Sequence, residues 1–311
     1  MLKLAPSCAL ALLLAPGAAQ AQNDKPASPH TRTEDVIYGR KFGTALTLDV
    51  FKPTGKPNGA GIIAVVSGGW YSSHDGIPEG FIKPLTARGY TVFAVVHGSQ
   101  PKFTIPEVVE DMNRAVRFIR THASDYGVDP DRLGIFGASA GGHLSLMQGT
   151  AGTPGDPSAK DPVDRASSRV QAVACFFPPT DFLNYGKDNE SALGEGVLIN
   201  FKAPFDFHEF KNNDNKFEPI TDRAKRVEIG KAISPVTHVS SDDPPTLIIH
   251  GDADKLVPIQ QAERFVARAK EQGMTATLET KPGLEHGWPN MEKDVERFAD
   301  WFDQHLLKQA K

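Results

Sequence analysis

A doubly wound, mostly parallel α/β sheet is the fold class that this sequence predicts, and three observations predict it. Apolar runs of strand length alternate with amphipathic segments of helix length from residue 46 onward. The later runs, such as "YTVFAVV" (90–96) and "TLIIH" (246–250), are almost continuously apolar, as strands covered on both faces must be. A turn of small residues, "FGASAGGHLS" (136–145), joins one such run directly to a helix-like one. With 311 residues, 40% hydrophobic and 23% charged, the chain has ample apolar material for one core.

Taken in order, residues 1–21 read as a secretory signal peptide: Lys3 is a short basic region, an apolar stretch runs to Leu14, and Ala19-Gln20-Ala21 is a cleavage signal. The apolar run is too short to span a membrane, and Pro6, Pro16 and Gly17 interrupt it. Secretion or a periplasmic location follows, with no membrane association after cleavage. Cys8 leaves with the leader, so Cys175, inside the apolar "VQAVACF" (170–176), has no partner for an intramolecular disulfide. Residues 22–34 are polar, contain two prolines and show no periodicity, which predicts a flexible lead-in before a single domain over 35–311.

Strands are expected at 46–51, 61–66, 90–96, 132–136, 170–176, 246–250 and 275–279. Between them, Val108, Met112, Ala115, Val116 and Ile119 form one apolar helix stripe, with Glu110, Asp111, Arg114, Arg117 and Arg120 on the opposite face. A second helix opens at Pro258 and stops at Gly273, facing Ala262, Phe265, Val266 and Ala269 inward. Met291, Val295, Phe298, Phe302 and Leu306 define a C-terminal covering helix. The irregular, aromatic-rich stretch at about 178–233 reads as a cap-like insert.

The chemistry centres on Ser139. Gly137, Ser139 and Gly141 form G-x-S-x-G where a strand turns sharply into a helix, and side chains two positions from the apex would collide across such a turn. The turn exposes the hydroxyl and aims the Ala140 N–H at a developing oxyanion. A serine hydroxyl needs a base, and the base an orienting carboxylate, each expected past a later strand. "HGDADKLVP" (250–258) offers Asp254, with Asp252 as the alternative, and "KPGLEHGWPN" (281–290) offers His286. His143 and His250 are expected to pack or to bond locally. After the second strand, Gly68 and Gly69 permit close backbone approach, so amides near Gly69 and Trp70 can complete an oxyanion hole. Trp70, Tyr71 and Trp288 lie near the inferred mouth as candidate substrate-binding residues.

On "SGGWYS" (67–72), residues 108–145, "HGDADKLVP" and "HGW" (286–288), the chain resembles the α/β-hydrolase superfamily, in its branch of secreted carboxylesterases that includes acetyl xylan and feruloyl esterases. That resemblance implies the α/β-hydrolase fold, Ser139 as nucleophile, Asp254 as acid and His286 as base. The chain departs from the branch at one place. Where many relatives carry His-Gly-Gly-Gly-Trp, it has Val66-Ser67-Gly68-Gly69-Trp70, which leaves open what braces the loop.

The expected function is a serine carboxylesterase acting on acyl or aryl esters, such as those of plant polysaccharides, without metal or organic cofactor. A net charge of −4 and the absence of long runs of either sign disfavour nucleic acid as a partner. A serine peptidase of the prolyl oligopeptidase type is the nearest rival. It carries a large preceding domain, whereas only residues 22–45 lie between leader and first expected strand. A noncatalytic binding module is the other, disfavoured because all three reactive side chains are present.

Overall fold

The computed structural model describes residues 28–307. The leader expected at 1–21 and the lead-in as far as residue 27 lie outside them. The lead-in expected to run to residue 34 ends earlier, because residues 30–34 already belong to β1 (His30–Lys41). This strand is largely exposed, rich in charge and interrupted by two register shifts against β2 (Thr44–Pro53), so it shows no clean alternation.

Beyond this hairpin the alternation follows the sequence. β3 (Gly61–Val66), α1 (Glu79–Ala87), β4 (Thr91–Val96), α2 (Ile105–Thr121), β5 (Leu133–Ala138), α3 (Ala140–Ala151) and β6 (Ala172–Phe176) come first. A short antiparallel hairpin, β7 (His208–Lys211) and β8 (Lys216–Pro219), then precedes α4 (Arg223–Ala232). The chain closes with β9 (Thr246–Gly251), α5 (Gln260–Gln272), β10 (Ala276–Lys281) and α6 (Met291–Phe302).

Eight strands form one sheet in the order β1-β2-β4-β3-β5-β6-β9-β10. β2 is antiparallel to both neighbours and the strands from β4 to β10 are mutually parallel. One face buries Val108 and Met112 of α2, Leu144 of α3 and Phe265 of α5; the other buries Ile82 and Leu85 of α1 and Phe298 and Phe302 of α6. This is the α/β-hydrolase fold. The crossovers diverge at β3 and β5, so the carboxyl ends of these two strands open a crevice of the kind where such sheets bind ligands.

The structure adds two details to these expectations. Asp111 is buried, not solvent-facing: it pairs with Lys41 at 2.7 Å and accepts the Gly98 N–H at 2.9 Å, and burial raises its pKa to about 6. Helical periodicity placed it on the polar face, which the β1–β2 hairpin covers. In the segment between β6 and β9, Phe182, Tyr185, Phe205 and Phe207 are core residues packed on one another, so most of its aromatic content is structural.

Candidate active site

Ser139 occupies the junction of β5 and α3 with φ 54° and ψ −118°, a strained conformation for a residue with a side chain. Backbone packing fixes it. A Cβ on Gly137 would lie 2.5 Å from the Gly141 carbonyl oxygen, so the strand and the first helical turn approach too closely for any side chain. The Ser139 N–H donates to the Phe176 carbonyl at 3.0 Å, tying the apex to β6.

The loop after β9 buries the Asp254 carboxylate. Its Oδ1 accepts the Leu256 and Val257 N–H groups at 2.9 Å each, and its Oδ2 lies 2.7 Å from His286 Nδ1 and 3.3 Å from His250 Nε2. Burial by itself would raise the pKa of this acid. The hydrogen bonds from His250, His286 and Val257 outweigh it and hold the carboxyl well below the usual range. Asp252, the alternative acid, turns elsewhere: its Oδ1 accepts the Gly283 N–H at 2.6 Å, linking the β9 loop to the loop that carries His286.

His286 closes the series, with Nε2 3.0 Å from Ser139 Oγ and its ring against Phe177 at 4.4 Å between centroids. An ionised carboxylate accepting from Nδ1–H leaves Nε2 as a lone pair facing the hydroxyl. A serine so placed can lose its proton as its oxygen attacks. Three side chains from three loops, each nominated from sequence, thus meet at one point.

After β3 the chain makes a two-residue turn, closed by Gly68 N–H to Tyr71 C=O and Tyr71 N–H to Gly68 C=O at 2.9 Å each. Gly69 (φ 54°) and Trp70 (φ 60°) both lie in the left-handed region. Among the described residues no acceptor engages the Gly69 or Trp70 amide, or that of Ala140 at the start of α3. Gly69, Trp70 and Ser139 share the wall of one small recess of ≈ 10 Å³ with Leu198, Phe201 and Val257. A wider groove of ≈ 500 Å³ passes Gly68, Tyr71, Asp75, Phe81 and Ala138.

The aromatic residues assigned to the mouth divide. Tyr71 is 55% exposed and borders the groove. Trp288 is half-buried, bonded to Asp294 at 2.7 Å and packed on Phe176 and Phe177. Trp70 is only 3% exposed. Its ring packs on Phe182 and Phe205 and its Nε1–H donates to His143 Nδ1 at 3.1 Å, which makes the indole an anchor for its turn instead of an open platform.

Sequence reasoning missed two histidines at this turn. His97 Nε2 lies 2.8 Å from Ser67 Oγ, and the His97 N–H donates to Ser72 Oγ, whose hydroxyl donates to the Val66 carbonyl. The brace that the departed motif left open is therefore supplied from the end of β4. His143 does pack, as expected, but it also joins Trp70 to the Ile233 carbonyl. Ser67 in a glycine position was the available signal, because a half-buried hydroxyl favours a partner. Away from this site, Asp35, Asp49 and His74 bring donor atoms within 4.8 Å of one another, with Asp49 held by Arg32.

A sequence model of the BD-FAE family matches residues 48–268. The chain belongs to the BD-FAE family. It is 31% identical over 244 residues to a probable carboxylic ester hydrolase, LipM, of Mycobacterium tuberculosis, covering 76% of this chain and 51% of that protein. It is 28% identical to the esterase LipQ of the same organism, covering 84% and 59%. This BD-FAE protein thus spans between half and three-fifths of the length of these relatives. Among solved structures, a truncated carbohydrate esterase from gut microbiota superposes with a TM-score of 0.72 at 26% identity, over 91% of this chain and 99% of that one. Among the described residues no helix is long and apolar enough to cross a membrane.

Proposed function

We propose that the protein is an exported serine carboxylesterase in which Ser139 is nucleophile, His286 general base and Asp254 its orienting acid. The observation that carries this reading is the continuous hydrogen-bonded series Asp254–His286–Ser139, at 2.7 and 3.0 Å, beside amides that have no other acceptor. The names of the relatives support the same class. His286 Nε2 takes the hydroxyl proton as Ser139 Oγ bonds to the ester carbonyl carbon. The Gly69, Trp70 and Ala140 amides receive the oxyanion. Collapse breaks the bond to the alcohol oxygen, which leaves with the proton from His286, and water repeats the sequence on the acyl-enzyme. Every proton and electron pair is accounted for without a metal or organic cofactor.

Two compartments of unequal size flank the serine. The recess of ≈ 10 Å³ has room for about one methyl-sized group, which suits the shortest acyl chains, whereas the groove of ≈ 500 Å³ beside Tyr71 suits a larger alcohol such as a polysaccharide. Turnover of p-nitrophenyl acetate, butyrate and octanoate and of an acetylated xylo-oligosaccharide tests both parts. The expected order is acetate and butyrate above octanoate by at least about 10-fold in kcat/KM, with the oligosaccharide deacetylated. Hydrolysis of none of them overturns the esterase reading, and preference for octanoate overturns the short-acyl part.

A further inference from the structure

The turn that carries the Gly69 and Trp70 amides is costly to hold. A bulky residue at positive φ is disfavoured by the clash of its Cβ with the backbone, and Trp70 sits at φ 60°. Within the turn itself only the two bonds between Gly68 and Tyr71 oppose that cost. Further restraint comes from elsewhere in the fold: the Gln100 N–H donates to the Trp70 carbonyl at 3.3 Å, the indole packs on Phe182 and Phe205, and the rings of two buried histidines bond the turn outside the Asp254–His286–Ser139 series, although the His143 backbone N–H donates to the Ser139 carbonyl at 2.9 Å.

The hydrogen-bond network fixes the tautomer of each. His97 Nδ1 is 2.8 Å from the Gly98 carbonyl, which only accepts, so Nδ1 carries the proton and Nε2 presents a lone pair to the Ser67 hydroxyl. The Gly98 peptide is itself held at its N–H by Asp111, which pairs with Lys41. In His143 the arrangement is reversed. Nε2 is 2.7 Å from the Ile233 carbonyl and carries the proton, so Nδ1 presents its lone pair to the Trp70 Nε1–H. Burial pushes both rings down to about 4, so both are neutral near neutral pH.

We propose that His97 and His143 are positioning residues that clamp the oxyanion turn from its two ends. Each offers a ring lone pair to a donor on the turn, Ser67 Oγ–H at the entry and Trp70 Nε1–H at the apex. Together they hold the Gly69 and Trp70 amides toward the carbonyl that Ser139 attacks. The Ile233 bond extends the clamp to the end of α4, so the segment before β9 is fastened to the same turn.

The inference rests on the serine esterase reading, and wild-type turnover of p-nitrophenyl acetate tests that reading separately. An amide that meets the oxyanion matters most in the transition state, where loss of one such donor lowers kcat by about 10²–10³. Displacing the turn is expected to lower kcat by about 10–10² with KM within about two-fold. His97→Leu and His143→Leu remove the lone pairs and are expected to show this split. His97→Gln and His143→Asn return an acceptor near Nε2 and Nδ1 respectively, and are expected to recover most of kcat. Should a leucine variant fail to fold, Ser67→Ala and Trp70→Phe delete the donors while leaving the histidines, with the same fall in kcat expected. Unchanged kcat in folded variants of either set, or a rise in KM at constant kcat, overturns the clamp.

Discussion

The serine elbow and the oxyanion turn are neighbours that solve the same problem by different means. Each holds a residue with a side chain at positive φ, Ser139 at 54° and Trp70 at 60°. At the elbow the restraint is steric and mostly local: Gly137 and Gly141 pack backbone on backbone within five residues. At the turn it is polar and remote. Ser67 bonds a histidine 30 positions away, and Trp70 bonds one 73 positions away. Strain held by packing needs only the absence of side chains, whereas strain held by hydrogen bonds needs distant partners in the right tautomer.

The largest effect that can break this comparison lies at the acid. If the β9 loop orients His286 through Asp254 alone, Asp254→Asn lowers kcat by about 10³–10⁴, because the ring loses its tautomer and the charge that stabilises imidazolium. Asp252→Asn, which touches only the Gly283 amide, changes kcat by no more than a few-fold. Equal losses in steady-state kinetics would mean that both aspartates orient the base.

A smaller effect separates the two regions by stability. Gly137→Ala drives a methyl against the Gly141 carbonyl and is expected to cost about 1–3 kcal/mol in denaturant unfolding. Gly68→Ala, at the turn, places its Cβ in open space and is expected to stay within about 0.5 kcal/mol. A tolerated alanine at 137 would remove the steric account of the elbow.

That contrast also explains what could be read in advance. Local steric demands leave a pattern, so G-x-S-x-G and the loops bearing Asp254 and His286 stood out, as did the continuously apolar strands β3, β4, β5, β6 and β9. β1 did not, because an edge strand with one charged, exposed face has no period to find. The β7–β8 hairpin, at four residues a strand within a polar stretch, was equally silent. The burial of Asp111 was not legible because helix periodicity carries no knowledge of the hairpin that covers its polar face. The bonds of His97 and His143 to the turn were illegible for the same reason, although packing was expected of His143: a lone histidine has no spacing rule, and its role exists only once β4 and α3 are beside the turn.

A further expected effect is one of pH, and it belongs to the turn. The folded chain keeps His97 and His143 neutral down to about 4, whereas the unfolded chain protonates them below about 6.5. The unfolded state therefore binds more protons between these values, and stability rises with pH across that window. Asp111, raised to about 6 by burial, acts in the opposite direction over part of it, since the folded state holds that proton longer. Two histidines against one aspartate predict a net rise in Tm between pH 4.5 and 6.5, flattened in the His97→Gln, His143→Asn double variant. The elbow's steric fit contributes nothing to this slope. A Tm that falls over the same interval contradicts neutral burial of the pair.

The central claim is that the hydroxyl at 139 is made nucleophilic by the imidazole 3.0 Å from it. Treatment of the folded protein with a fluorophosphonate, followed by peptide mass spectrometry, tests it most directly. The account predicts one adduct, on the peptide containing Ser139, lost in Ser139→Ala and formed far more slowly in His286→Ala. A folded wild type that takes up no label, or a Ser139→Ala variant that labels as fast as wild type, contradicts it.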